Sequence, residues 1–68
     1  MTNTSLLKEC IKKSGYKISH LAKCLGITEH TLSRKINNKN EFQGAQIDAL
    51  CKLLDIDIDA RMAIFFAE

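Results

Sequence analysis

Proline is absent from the 68 residues and glycine occurs three times. With so few chain breakers, and no segment in sustained strand alternation, the apolar spacing predicts helix along nearly the whole chain. No apolar run approaches the roughly 18 residues that a membrane span needs. The opening Met1-Thr2-Asn3-Thr4-Ser5 has neither the basic nor the apolar region of a signal peptide, which makes a cytosolic, cytoplasmic location the expectation. Cysteine is scarce too: Cys10, Cys24 and Cys51 cannot all pair within one chain and show no CxxC spacing. Each is placed at an apolar position of a helical pattern, which predicts buried thiols in a reducing compartment. A zinc site would begin from His20 and Cys24, four apart on one helix face, but two further ligands are missing at familiar spacing. No metal or other cofactor is therefore expected. Also lacking are a Gly-rich phosphate loop, a nucleophile with a paired base and clustered carboxylates, so neither an enzyme nor a small-molecule substrate is expected.

What is present is an ordinary globular composition, 46% hydrophobic and 26% charged, which argues against disorder. A chain this short buries only about 60% of the surface that its unfolded form exposes. One domain over residues 1–68 is expected, with a marginal core that a partner subunit would help. The net charge of +2 hides a division. Residues 1–40 carry eight cations (Lys8, Lys12, Lys13, Lys17, Lys23, Arg34, Lys35 and Lys39) against Glu9 and Glu29, a net of +6. Residues 41–68 carry Lys52 and Arg61 against six acids, a net of −4. A positive half suits a polyanion, and a negative half would orient its approach.

Apolar periodicity resolves five short helices. The first runs from about Ser5 to Ser14 behind a Thr4 or Ser5 cap, with Leu7, Cys10, Ile11 and Ser14 on one stripe and Gly15 as its left-handed stop. The second covers Ile18 to Leu25, where Ile18, Leu21, Ala22 and Leu25 follow i, i+3, i+4, i+7. Gly26 ends it, and Thr28 caps a third helix reaching Ile36 or Asn37. There the apolar stripe narrows to Leu32 and Ile36, leaving a wide polar arc of Glu29, His30, Ser33, Arg34 and Asn37. After the polar loop Asn37-Asn38-Lys39-Asn40, Phe42 returns to the core. A fourth helix from about Ala45 to Leu54 buries Ile47, Leu50, Cys51 and Leu54. Asp55 or Asp57 opens a fifth that reaches about Ala67. The fold class is all-α.

The segment from Ile18 to Ile36 has the spacing of two helices that cross at a sharp angle. Ala22 is small where the next helix passes over it, and Gly26 accepts positive φ in a turn of a few residues. Ile27, Leu32 and Ile36 pin the second helix to the core and leave its N-terminal polar residues free. At Leu21-Ala22-x3-Leu25-Gly26-Ile27-Thr28 and Leu32-Ser33-Arg34-Lys35-Ile36-Asn37 the sequence resembles the lambda-repressor-like family of Cro/CI, or XRE-type, regulators. Glu41-Phe42, Ile47, Leu50 and Leu53-Leu54 fall where that family places its fourth helix. The ending Ile64-Phe65-Phe66-Ala67 is similar to that of short phage-encoded members. The resemblance implies a five-helix lambda-repressor-like domain, with a helix-turn-helix formed by helices 2 and 3. It also implies a dimer on a double-stranded DNA operator and transcriptional control. Many members begin the second helix with a phosphate-contacting Gln; this chain has Ile18, which leaves the contact to Ser19, Lys17 or the backbone.

By the same resemblance Glu29, His30, Ser33 and Arg34 are the base-reading set. Arg34 leads it because a guanidinium pairs bidentately with guanine O6 and N7. Lys17, Ser19, Thr28, Lys35, Asn37, Asn38 and Lys39 are the expected phosphate contacts, which set affinity and salt dependence rather than sequence choice. In the fifth helix, Ile58, Met62, Phe65 and Phe66 are expected to close the core. Ala60, Ile64 and Ala67, joined by Leu53, would then form a homodimer contact. In the competing arrangement Ile64 packs within its own subunit against the first helix. Two functions follow: a dimeric, Cro/CI-like repressor on an inverted-repeat operator, or a protein-interaction module such as an antitoxin or adaptor that keeps the fold without DNA.

Overall fold

A computed structural model describes residues 1–67. Among them are five helices and no strand: α1 (Thr4–Ser14), α2 (Ile18–Leu25), α3 (Glu29–Ile36), α4 (Gly44–Leu53) and α5 (Ile58–Phe65). Each boundary has a local cause. Asn3 rather than Thr4 or Ser5 caps α1, its side chain accepting from Leu6 N–H at 3.1 Å, and Gly15 closes the helix at φ +78°. Gly26, at φ +71°, ends α2, and two residues later Thr28 Oγ1 accepts from Thr31 N–H at 3.1 Å to start α3. The sharp α2–α3 turn thus depends on one left-handed glycine and one hydroxyl cap, the latter worth about 1 kcal/mol. Gln43 caps α4, with its own N–H donating to Gln46 Oε1 at 3.0 Å.

Between α4 and α5, Asp55 and Asp57 divide the work. Asp55 takes the left-handed conformation at φ +53°, letting Ile56 N–H reach back to Cys51 C=O at 2.9 Å and close α4. Asp57 caps α5 by accepting from Ala60 N–H at 2.8 Å.

The core is the set of inward stripes. Leu7, Leu21, Leu32, Leu50 and Ile64 are fully buried, joined by Ile11, Ala22, Ile36, Ile47, Cys51 and Phe65. α2 packs on α3 and α4, and α1 on α3 and α5. Phe42 returns to the core as the sequence predicts, its ring edge-on to Phe65 with centroids 5.5 Å apart. Burial raises the Cys51 thiol above its ordinary pKa, partly countered by Arg61, so this sulfur stays protonated and inert. Cys10 is half-buried. Cys24 corrects the expectation of buried thiols: it is exposed, because α2 turns Leu21, Ala22 and Leu25 inward and position 24 falls beside that stripe.

The fifth helix overturns a larger expectation. Ile64 and Phe65 are buried, whereas Ile58, Met62 and Phe66 are 68%, 54% and 51% exposed. Ile64 and Ala60 face Leu6, Glu9, Cys10 and Lys13 of α1, and Ile64 C=O accepts from Asn3 N–H. The face expected to meet a second subunit is therefore turned into its own chain, and three of the four side chains expected in the core stand outside it. Leu53 and Ala60 are half-buried against the core, and Ala67 is half-buried just beyond the helix. An ion pair joins Arg61 Nη2 of α5 to Asp48 Oδ1 of α4 at 2.6 Å.

Candidate nucleic-acid interface

α3 is held from one side only. Leu32 and Ile36, one turn apart, bury against α1 and α2, so the residues between and opposite them face solvent. Glu29, His30, Ser33 and Arg34 are all exposed. Glu29 lies one turn before Ser33 and His30 one turn before Arg34, which puts the four on one continuous patch. Glu29 in the first turn also lies favourably at the positive end of the helix. Of the four side chains, Arg34 is engaged, its Nε donating to Asn40 Oδ1 at 2.8 Å.

The residues expected around that patch divide into three groups. Lys17, Ser19 and Lys39 are exposed. Lys17 and Ser19 flank Ile18, which leans on the core and lines a groove with Lys8, Ile11, Lys12, Ser33, Ile36 and Asn37. Lys17 is the N-cap of α2 yet makes no side-chain cap bond, so the first amides of α2 have no side-chain acceptor there. Thr28 and Asn37 are exposed but work for α3 itself. Thr28 caps its start, and Asn37 Nδ2 donates to Ser33 C=O at 2.9 Å at its end.

Lys35 and Asn38 are placed otherwise than expected. Lys35 is buried, with its ammonium donating to Glu41 C=O at 3.0 Å and to Gln46 Oε1 at 2.9 Å. It ties the end of α3 to the start of α4 and is not presented to a phosphate. Spacing alone could have flagged it, since Leu32, Lys35 and Ile36 follow the i, i+3, i+4 rule of the buried stripe. Asn38 takes φ +62° and spends both ends of its amide on the N-terminal segment. Oδ1 accepts from Thr2 N–H at 2.9 Å while Nδ2 donates to Thr2 C=O at 2.6 Å. No local pattern signals that partnership, because the residues lie 36 apart in the chain.

On the outer face of α2, His20 Nε2 and Cys24 Sγ do meet, at 3.6 Å, and Tyr16 stacks on the imidazole with centroids 5.1 Å apart. Among the described residues no group of three or more His, Cys, Asp or Glu side chains is arranged to hold a metal. Also among them, no helix is long and apolar enough to cross a membrane.

No curated protein and no solved structure matched the chain. A family model described as a Cro/C1-type HTH DNA-binding domain does match, over residues 6–59, which takes in most of α1, all of α2 to α4 and the first residues of α5. With α2 and α3 crossing at a glycine turn and the polar face of α3 left open, the chain belongs to the Cro/C1-type helix-turn-helix DNA-binding domains.

Proposed function

We propose that the protein is a transcriptional regulator that binds an inverted-repeat operator in double-stranded DNA as a homodimer, with α3 in the major groove. The observation that carries this is the Glu29, His30, Ser33 and Arg34 patch: four exposed polar side chains on the second helix of the motif, which is anchored only through Leu32, Lys35 and Ile36. Lys17, Ser19 and the uncapped start of α2 on one side, and Asn37 and Lys39 on the other, would hold the flanking phosphates. Selection from a random duplex library tests the proposal. An enriched inverted repeat with half-sites about one helical turn apart supports both the DNA role and the symmetry. Recovery of no sequence would instead favour a protein-interaction module.

Arg34 and Lys39 separate choice from affinity. Arg34→Ala should cost about 1–3 kcal/mol on the selected operator and flatten the preference at one base position in each half-site. Lys39→Ala should weaken every sequence alike and lower the salt slope by about 1. Competition binding against operators changed one base at a time reads both. Uniform losses from both variants would mean that α3 is docked differently.

Lys35 should behave unlike Lys39 in spite of its charge. Lys35→Met keeps the aliphatic stem and removes an ammonium that has only neutral partners. Gln46 Oε1 keeps Gln43 N–H, Glu41 is exposed so its freed C=O can turn to water, and a methionine carries no charge to desolvate. Urea unfolding should give a stability within about 1 kcal/mol of the parent, and the salt slope of DNA binding should not change. A slope lower by about 1 would place Lys35 on a phosphate after all.

A further inference from the structure

The hydrogen bond from Arg34 Nε to Asn40 Oδ1, at 2.8 Å, joins the reading face of α3 to the loop beyond it. Both side chains are exposed, and an exposed arginine that nothing holds must lose its rotamer freedom when it binds. The loop around Asn40 is itself fixed from both sides. Lys39 N–H donates to Arg34 C=O at 2.8 Å, Glu41 C=O accepts from the buried Lys35 ammonium at 3.0 Å, and Asn38 is clamped to Thr2. Asn40 is thus a preset acceptor between two anchored neighbours. The acceptor is a neutral amide, so the full positive charge of Arg34 stays available to DNA. With Nε engaged, the two terminal nitrogens remain, a fork that matches the O6 and N7 of guanine.

The geometry points to Asn40 as a positioning residue for base choice: it holds the Arg34 guanidinium with its terminal fork turned to a guanine, without touching a base itself. This rests on the operator-reading role proposed above for α3. The test begins with duplex selection by the parent protein. Binding of the parent, Asn40→Ala, Arg34→Ala and the double variant is then measured on the selected operator, on each single-base change and over a range of salt. Asn40→Ala should lower the preference at the base position assigned to Arg34 by about tenfold, part of what one bidentate pair confers. It should leave the other positions and the salt slope unchanged, and should add nothing at that position once Arg34 is alanine. Asn40→Asp, which keeps the acceptor, should retain the preference while weakening all sequences by its added charge. If the losses of the two single variants add, or if Asn40→Ala weakens all sequences equally, Asn40 does not position Arg34, while the operator role of α3 stands. If the parent enriches no sequence, that role fails and this one with it.

Discussion

Operator affinity should fall roughly 10³- to 10⁵-fold as salt rises from 50 to 200 mM, the behaviour of a protein that neutralises on the order of 6–10 phosphates. The expectation comes from where the cations stand. Lys8, Lys12, Lys17, Lys23, Arg34 and Lys39 are all exposed. Lys13 is exposed as well but faces Glu9 one turn away at 3.2 Å. Lys35 drops out because it is buried. Two copies of the remaining set supply enough charge for that many contacts without every lysine taking part. Apart from Glu9, which Lys13 occupies, and Glu29 on α3, the acidic side chains among the described residues lie on α4, α5 and the loops beside them, and Asp48 is occupied by Arg61. Fluorescence anisotropy of a labelled operator at several salt concentrations gives the slope directly. A slope near zero would sink the electrostatic reading, however tight the binding at low salt.

The sequence was most informative where local chemistry decides. The bounds of α2 and α3 follow from the unbroken stripe Ile18, Leu21, Ala22, Leu25, from Gly26 and from Thr28, and every one of those determinants lies within a few residues of what it controls. The four residues on the open face of α3 were legible for the same reason, because two buried positions fix which way the others point. Legibility ended where a partner is distant. Asn38 looks like a surface amide until Thr2 is brought to it, and Asn40 like a loop residue until Arg34 reaches it. For α5 the difficulty was different. It carries two apolar sides, one with Ala60 and Ile64 and one with Ile58 and Met62, followed by Phe66 beyond its end, and a helical wheel does not say which faces inward. The left-handed Asp55 and the Asp57 cap set where the helix starts, and the choice between sides falls to packing on α1, which the local sequence does not contain.

In the homodimer proposed above, this packing of α5 would put the subunit contact on the other side of the helix. Ile58 and Met62, one turn apart, share an exposed side of α5, and Phe66, the residue just beyond the helix, is exposed as well. Three large exposed apolar side chains on and just beyond one helix of so small a domain suit a contact site. A second copy of the chain is the occupant that the proposed operator symmetry calls for, since two α5 helices meeting about a two-fold axis bury the same side chains twice. The phenyl ring of Phe66 and the flexible Met62 supply the apolar area, in place of the small alanines that the sequence suggested. Met62→Glu puts a charge among these side chains while leaving Ile64 and Phe65 in the core. It should stay folded, with helical content and melting temperature close to the parent, yet sediment as a monomer at micromolar concentration. Operator affinity should fall about 10²- to 10⁴-fold, because the second half-site no longer adds through effective concentration. Ile64→Glu should do something else. A carboxylate at a position 2% exposed has no partner within the core. Its cost should exceed about 4 kcal/mol, close to the whole stability of a domain this size, so this variant should unfold. Circular dichroism and sedimentation velocity on the two variants separate the roles. Should Met62→Glu remain dimeric, or Ile64→Glu remain a folded monomer, the contact lies on the Ala60 and Ile64 side of α5 after all.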